Sequence, residues 1–447
     1  MPLTALSSSQ AAPAPDDRAP DDRAPDDRAP DHPPERPALQ KARPEQRQNG
    51  VRVRVFNVKY SPNLGDGLLS ECLEQTLIDC GAAPDTWSVD LAGRTTFGAG
   101  SANRSAQMRV LDACPAPLRR LAVRAPLAIQ SRRVWRPHYR QALDGADGVV
   151  IGGGNLMTDL DLNFPTKIGL VVEEAARRGL PVFFHGCGAA GNWSPRGRAL
   201  LGKALRHGVI KGVSVRDERS RRIWNDLAGT QSGLEATLVR DPGLLAARRY
   251  RVAPGRQTND PPVIGLNVTS QLALRYHAEQ APDAASLDAW YIALARALVA
   301  RGNRVAVFTN GSPEDRACAQ RLEPAFRALG SAVSFPDPRT PEQLVHLIAG
   351  LDALAAFRMH AVIAAYACGV PFLALAWDPK LDAFLRSVGC EDRLCRPVRT
   401  SGEAAAVRLR DAMQRPVPTE ERDRAVADAH AGVAMLQDAI AQALRRP

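Results

Sequence analysis

The chain has 447 residues, too many for one ordinary domain and enough for two. A hydrophobic fraction of 45% and a charged fraction of 24% are those of a globular protein and exclude a wholly disordered or fibrous chain. The formal charge of +10 favours anionic partners, but aromatics are only 5% and no Lys/Arg run is interleaved with Tyr or Phe, so no nucleic-acid platform is indicated.

Residues 1–48 read as a disordered, catalytically dispensable tail. The pentamer DDRAP occurs three times from Asp16 to Pro30, and such density of proline and charge leaves too little apolar surface to offset ordering entropy. The N-terminus has no basic segment followed by an apolar run, and no stretch approaches 18 uncharged apolar residues. The expected address is therefore the cytoplasm. The eight cysteines form no C-x-x-C pair and several lie in apolar runs, which predicts buried reduced thiols rather than disulfides or a zinc site.

From residue 49 onward, strand-like and helix-like runs alternate, which predicts α/β architecture. Strands are expected at 51–60, 148–151, 180–184, 213–215 and 237–239, with helices from Leu68 and over 167–178, 196–207 and 218–226. A Pro- and charge-rich linker covers 246–262. A second series follows, with strands at 263–268, 304–309, 332–335, 353–357 and 370–377 and helices over 287–301, 313–329, 340–351 and 361–368. Residues 401–445 read as one or two amphipathic helices. The expectation is two Rossmann-like doubly wound domains, 49–248 and 249–400, followed by C-terminal helices over 401–447. Ligands in such sheets bind beyond the carboxyl ends of the strands, so a site in the cleft between the halves follows.

Four segments at strand ends carry candidate chemistry. In NVKYSPNLGD, Asn63, Gly65 and Asp66 form either a turn with a helix cap or a ligand contact. Gly152, Gly153 and Gly154 with Asn155 give either a tight turn or close backbone approach to a ligand, and the spacing is not that of a dinucleotide fingerprint. In SVRDERS, Arg216 ends a strand, where its planar fork can clamp a carboxylate or phosphate or form a plain ion pair. Finally, Arg358 and His360 flank a strand-to-helix junction whose dipole attracts anions, and Lys380 follows the next strand. Asp159 and Asp161 spell a D-x-D that chance explains better than a metal site. His185 and Cys187 fit a buried strand end better than a ligand set.

Taken in order, Asn63–Asp66, Gly152–Asn155, Ser214–Ser220, Asp241–Pro242, Arg358–His360, Gly369–Pro371 and Asp378–Lys380 resemble the polysaccharide pyruvyl transferase family. The resemblance implies two halves similar to GT-B glycosyltransferases. It also implies an enzyme of exopolysaccharide biosynthesis that takes phosphoenolpyruvate as donor, with Arg216, Arg358, His360 and Lys380 contacting it. His360 is then the general acid and Arg358 its partner in catalysis. Asn63, Asp66, Gly153, Gly154 and Asn155 are candidates for the acceptor, a sugar or lipid-linked oligosaccharide. The basic surface is compatible with peripheral contact with the inner membrane. No cofactor and no metal are called for, since arginines can stabilise the developing charge. The repeat tail and an Arg-rich insert from about Gly93 to Arg140 depart from the family pattern. A GT-B glycosyltransferase using a nucleotide sugar and an inactive glycan-binding relative are the alternatives.

Overall fold

The computed structural model describes residues 50–98, 126–229, 232–253, 260–272, 283–375 and 379–445. The repeat tail, Cys114, much of the Arg-rich insert and Asp378 lie outside the described residues.

Two parallel six-stranded sheets organise the chain. The first runs in the order β2-β1-β3-β4-β5-β6, with β1 Val53–Asn57, β2 Trp87–Asp90, β3 Gly148–Met157, β4 Val182–Ala189, β5 Ile210–Val215 and β6 Thr237–Leu238. The second runs β12-β11-β10-β7-β8-β9, with β7 Val263–Asn267, β8 Arg304–Phe308, β9 Val333–Ser334, β10 Ala353–Ala356, β11 Phe372–Leu375 and β12 Leu394–Cys395. Each order reverses once, between β1 and β3 in the first sheet and between β7 and β10 in the second. These switch points are where an open α/β sheet leaves a crevice beyond its strand ends.

The strands read as continuous apolar runs because helices cover both faces; every residue of β1, β10 and β11 is buried. Strand β3 extends six residues beyond the expected Ile151, since Gly153 and Gly154 adopt φ of +78° and +88° and a bulge before Met157 keeps it paired with β4. Strand β2 and the helix α2, Arg136–Ala142, were not expected from the pattern. The latter belongs to the Arg-rich insert, and its arginines are locally paired: Arg136 and Arg140 meet Glu174, which Arg177 and Arg178 also contact.

The helix α1, Leu64–Asp79, starts four residues before the expected apolar run, capped by Asn63. Its counterpart beyond β10 spans Met359–Ala367 and is apolar nearly all round, the pattern of a helix with no solvent face. One buried cluster runs through both helices and joins Val53 and Leu68 of the first half to Ala306, Ile348 and Val362 of the second. Burying each such Val, Leu or Ile stabilises by roughly 1.5–3 kcal/mol, so the halves share a core as well as a crevice. The C-terminal residues form two helices, Gly402–Gln414 and Thr419–Arg445. The second returns to the first half, where Ile440 packs over Gly148, Gly432 over Val239, and Arg240 meets Asp428. Among the described residues no helix is long and apolar enough to cross a membrane.

Candidate active site

The two switch points confront each other. Asn63 caps α1 by accepting from Gly65 N at 3.3 Å, and the next residue, Leu64, donates its N–H to Asn310 O beyond β8 at 2.7 Å. The following turn touches the Arg-Met-His segment: a Cβ on Gly65 would lie 2.7 Å from His360 Cβ and 3.0 Å from its Nδ1. Only glycine permits this approach. The first half thus walls one side of His360, which is buried in the first turn of Met359–Ala367.

On its other side His360 faces Asp241, with Nε2 3.8 Å from Oδ2. That is beyond hydrogen-bond length, and no described residue hydrogen-bonds this nitrogen. The same carboxylate oxygen accepts from Arg216 Nη1 at 3.2 Å, while Oδ1 accepts from Gly243 N at 2.9 Å and caps a short helical turn. Burial opposes ionisation of Asp241. The positive field of His360, the Arg216 guanidinium and the Gly243 N–H outweigh it and take the carboxyl down to about 2.

Arg216 leaves the end of β5 with its side chain only 6% exposed. It lies beside Asn155, since a Cβ on Gly188 would meet Arg216 Nη2 at 2.8 Å and Asn155 Oδ1 at 2.9 Å. Asn155 Oδ1 is buried and has no hydrogen-bond partner among the described residues. Arg216, Asp217, Asp241, Met359 and Lys380 line one small pocket, closed on its apolar side by Leu244 and Phe384. Lys380 enters from the helix Pro379–Ser387, beyond β11.

Arg358 turns to a different partner. Its Nε donates to Asp315 Oδ2 at 2.8 Å and its Nη2 to Ser312 Oγ at 3.2 Å, both at the start of the helix Pro313–Arg327. Asp315 is fully buried and also accepts from Ser270 N at 2.8 Å. Burial disfavours the Arg358 charge, but Asp315, and to a lesser degree Asp66 and Glu314, hold its pKa above the ordinary value.

The remaining candidates divide by role. Gly153 is packed against α1, because a Cβ there would come within 2.9 Å of Leu69 Cγ; Gly154 would take a Cβ at ordinary contact distance from Leu69 but has a left-handed backbone. Asp66 sits half-buried in the first turn of α1, where Arg358 senses its charge. Ser214 and Ser220, both within the motif around Arg216, anchor it to β4: Ser214 Oγ is 3.0 Å from His185 Nδ1, and Ser220 Oγ, on the helix Glu218–Trp224, accepts from Ala189 N at 2.8 Å. His185 is wholly buried, which lowers its pKa to about 4 against a smaller opposing effect of Asp241. Burial likewise raises Cys187 to about 12. Asp159 is spent on structure, accepting from Leu162 N at 3.0 Å and from Ser194 N at 2.9 Å.

Two functional candidates escaped the sequence reading. Asp315 looks in the sequence like a helix-start acid in PEDRA. Asp241 was visible only as an Asp-Pro pair.

The order and spacing of these strand-end segments agree with a wider likeness: the sequence profile described as polysaccharide pyruvyl transferase matches residues 63–379. The chain belongs to the polysaccharide pyruvyl transferase family. No curated protein sequence matches it significantly. Among solved structures, one named for UDP-N-acetylglucosamine 2-epimerase from Listeria monocytogenes is similar with TM-score 0.53 at 10% identity, covering 89% of this chain and 98% of that one. The UDP-GlcNAc 2-epimerase from Neisseria meningitidis, solved with UDP-GlcNAc, gives TM-score 0.49 at 10% identity, over 88% of this chain and 100% of that one. At such identity the likeness shows the fold alone, two facing Rossmann-like halves of the GT-B type. This pyruvyl transferase family member therefore carries its motif residues on the carboxyl edges of both sheets.

Proposed function

We propose that the protein transfers the pyruvyl group of phosphoenolpyruvate onto two hydroxyls of a sugar in a cell-surface polysaccharide or its precursor, forming a ketal and releasing phosphate. The observation that carries this reading is the meeting of Arg216, Lys380 and His360 around Asp241, where the segments beyond β5 and β6 of the first sheet face those beyond β10 and β11 of the second. Phosphoenolpyruvate is a small, multiply charged anion. Arg216 and Lys380 are the groups that bind its phosphate and carboxylate, each charge-assisted bond contributing roughly 1.5–3 kcal/mol.

His360 donates its proton to the methylene carbon, which becomes the methyl group, and C2 gains oxocarbenium character. One sugar hydroxyl adds to C2 and gives up its proton; phosphate leaves with its bonding electron pair. The second hydroxyl then adds at C2 and loses its proton to close the ketal. Arg358, with Nε and Nη2 committed to Asp315 and Ser312, adds positive charge and fixes the helix start that presents His360. Asn155, whose Oδ1 lies beside Arg216, is the candidate closest to this chemistry for holding an acceptor hydroxyl. Asn63 and Asp66 lie at the start of α1, on either side of the Gly65 that packs against His360.

The deciding experiment offers the protein phosphoenolpyruvate with a panel of glycan acceptors and, separately, a nucleotide sugar. Phosphate release that depends on both acceptor and phosphoenolpyruvate is the expected result. Release of nucleotide instead would make the protein a glycosyltransferase, and release of neither would leave a glycan-binding relative.

A further inference from the structure

A buried carboxylate is out of place in a pocket built for an anionic donor. Asp241 lies in the lining beside Arg216 and Lys380, only 5% exposed, where its charge repels any phosphate or carboxylate that enters. Its capping bond to Gly243 does not require that charge, because Asn or Ser caps a helical turn equally well. A second task must justify it.

The geometry points to Asp241 as a positioning residue that supplies the counter-charge for the proton-carrying form of His360, its Oδ2 lying 3.8 Å from Nε2; this rests on the proposed function. A buried imidazolium is costly without a counter-charge. The charged groups around His360 leave one source for it. Arg216 and Lys380 are cations, and Arg358, on the same junction, is committed to Asp315. Asp66 lies on α1 beyond Gly65 and interacts with Arg358. Asp217 is 3.8 Å from Arg216 Nε. His185, on the far side, is neutral at working pH. Among the described residues, Asp241 Oδ2 is the carboxylate oxygen that approaches His360 Nε2, and it belongs to the other half of the molecule. The acid is thus assembled from both halves, with the proton on one and its counter-charge on the other.

Arg216 gives the arrangement a second consequence. Arg216 shares the Asp241 carboxylate with His360. An arriving phosphate draws Arg216 away and leaves more of the negative charge to the imidazolium, at the moment a proton is needed.

The test compares Asp241→Asn and Asp241→Ser with wild type; both keep the cap acceptor, so circular dichroism verifies the fold. The alkaline limb of the kcat profile should move down by about one pH unit or more, the size expected for losing an opposite charge within about 4–6 Å. At neutral pH kcat should fall about 10–100-fold with a smaller change in KM. A readout without substrate is the 15N titration of the His360 imidazole, assigned by its loss in His360→Gln. Its midpoint should fall by a similar interval in both variants. An unchanged midpoint and unchanged limb in folded variants would overturn the inference and leave Asp241 a cap. Failure of wild type to release phosphate would instead overturn the functional reading, while the imidazole titration still decides the His360–Asp241 link.

Discussion

The carboxyl edges of the two sheets each present an arginine, and the two are held in opposite ways. At the first edge Arg216 makes one 3.2 Å bond to a carboxylate that it shares with His360, and it lines an open pocket. At the second edge Arg358 is tied to Asp315, a carboxylate with no exposure of its own, and to Ser312. The same side chain therefore does different work. One guanidinium lines the pocket on a shared carboxylate and is the working charge of the proposed reaction, whereas the other is a strut, tied to a buried carboxylate and a serine beside the helix that carries His360.

That contrast is sharpest for turnover. His360→Gln keeps hydrogen-bonding capacity but cannot deliver a proton near neutrality, so kcat should fall roughly 10²–10⁴-fold while phosphoenolpyruvate still binds. Single-turnover kinetics with separate binding measurements check this; a raised KM at near-normal kcat would make His360 a binding residue. Next in size, Arg358→Ala strands the buried Asp315 charge and should cost about 3–5 kcal/mol of stability in denaturant unfolding. Arg216→Ala should show the reverse signature. Donor affinity should weaken by about 1.5–3 kcal/mol, read by calorimetry, with a smaller loss of stability than at Arg358. If the two alanine variants behaved alike, the division between working charge and strut would be wrong.

The smallest effect concerns acid. Asp241 has its carboxyl lowered from the ordinary 3.8 to about 2 in the folded protein. A depressed folded value means that its contribution to stability is present above about 4 and is lost as pH falls through about 2, some 2 kcal/mol in all. Unfolding midpoints measured across that window should decline in wild type and decline less in Asp241→Asn.

Much of this was legible in the residues. Alternating strand-like and helix-like runs indicated the α/β class, and of the four donor candidates the structure brings Arg216 and Lys380 into one pocket, with His360 facing Asp241 of its lining. What escaped depended on packing. Asn63, Gly65 and Asp66 suggested a capped turn or a ligand contact; Asn63 is the cap, but Gly65 is helical and its small size answers to His360, as that of Gly67 answers to Phe97 and Pro341. Helix α1 is buried on several sides, so its pattern lacks the one-sided stripe that marks a helix start. The run of glycines at 152–154 looked like a strand's end and is instead a bulged continuation of it. Asp241 and Asp315 are ordinary acids in one dimension. Only the approach of residues 25 and 43 positions away makes the first a partner of Arg216 and the second a partner of Arg358.

The returning C-terminal helix bears on how the protein is made. Val433, Leu436 and Ile440 belong to the same buried cluster as Val53, Leu68 and Val150, the innermost side chains of the first half. A ribosome adding about 5–20 residues each second delivers the first sheet well before Thr419–Arg445 emerges. During that interval the early half has its strands but lacks the lid over Gly148 and Val239, leaving an apolar seam open to water or to a chaperone. Nonsense or frameshift lesions near residue 419 should accordingly injure the half that was synthesised first.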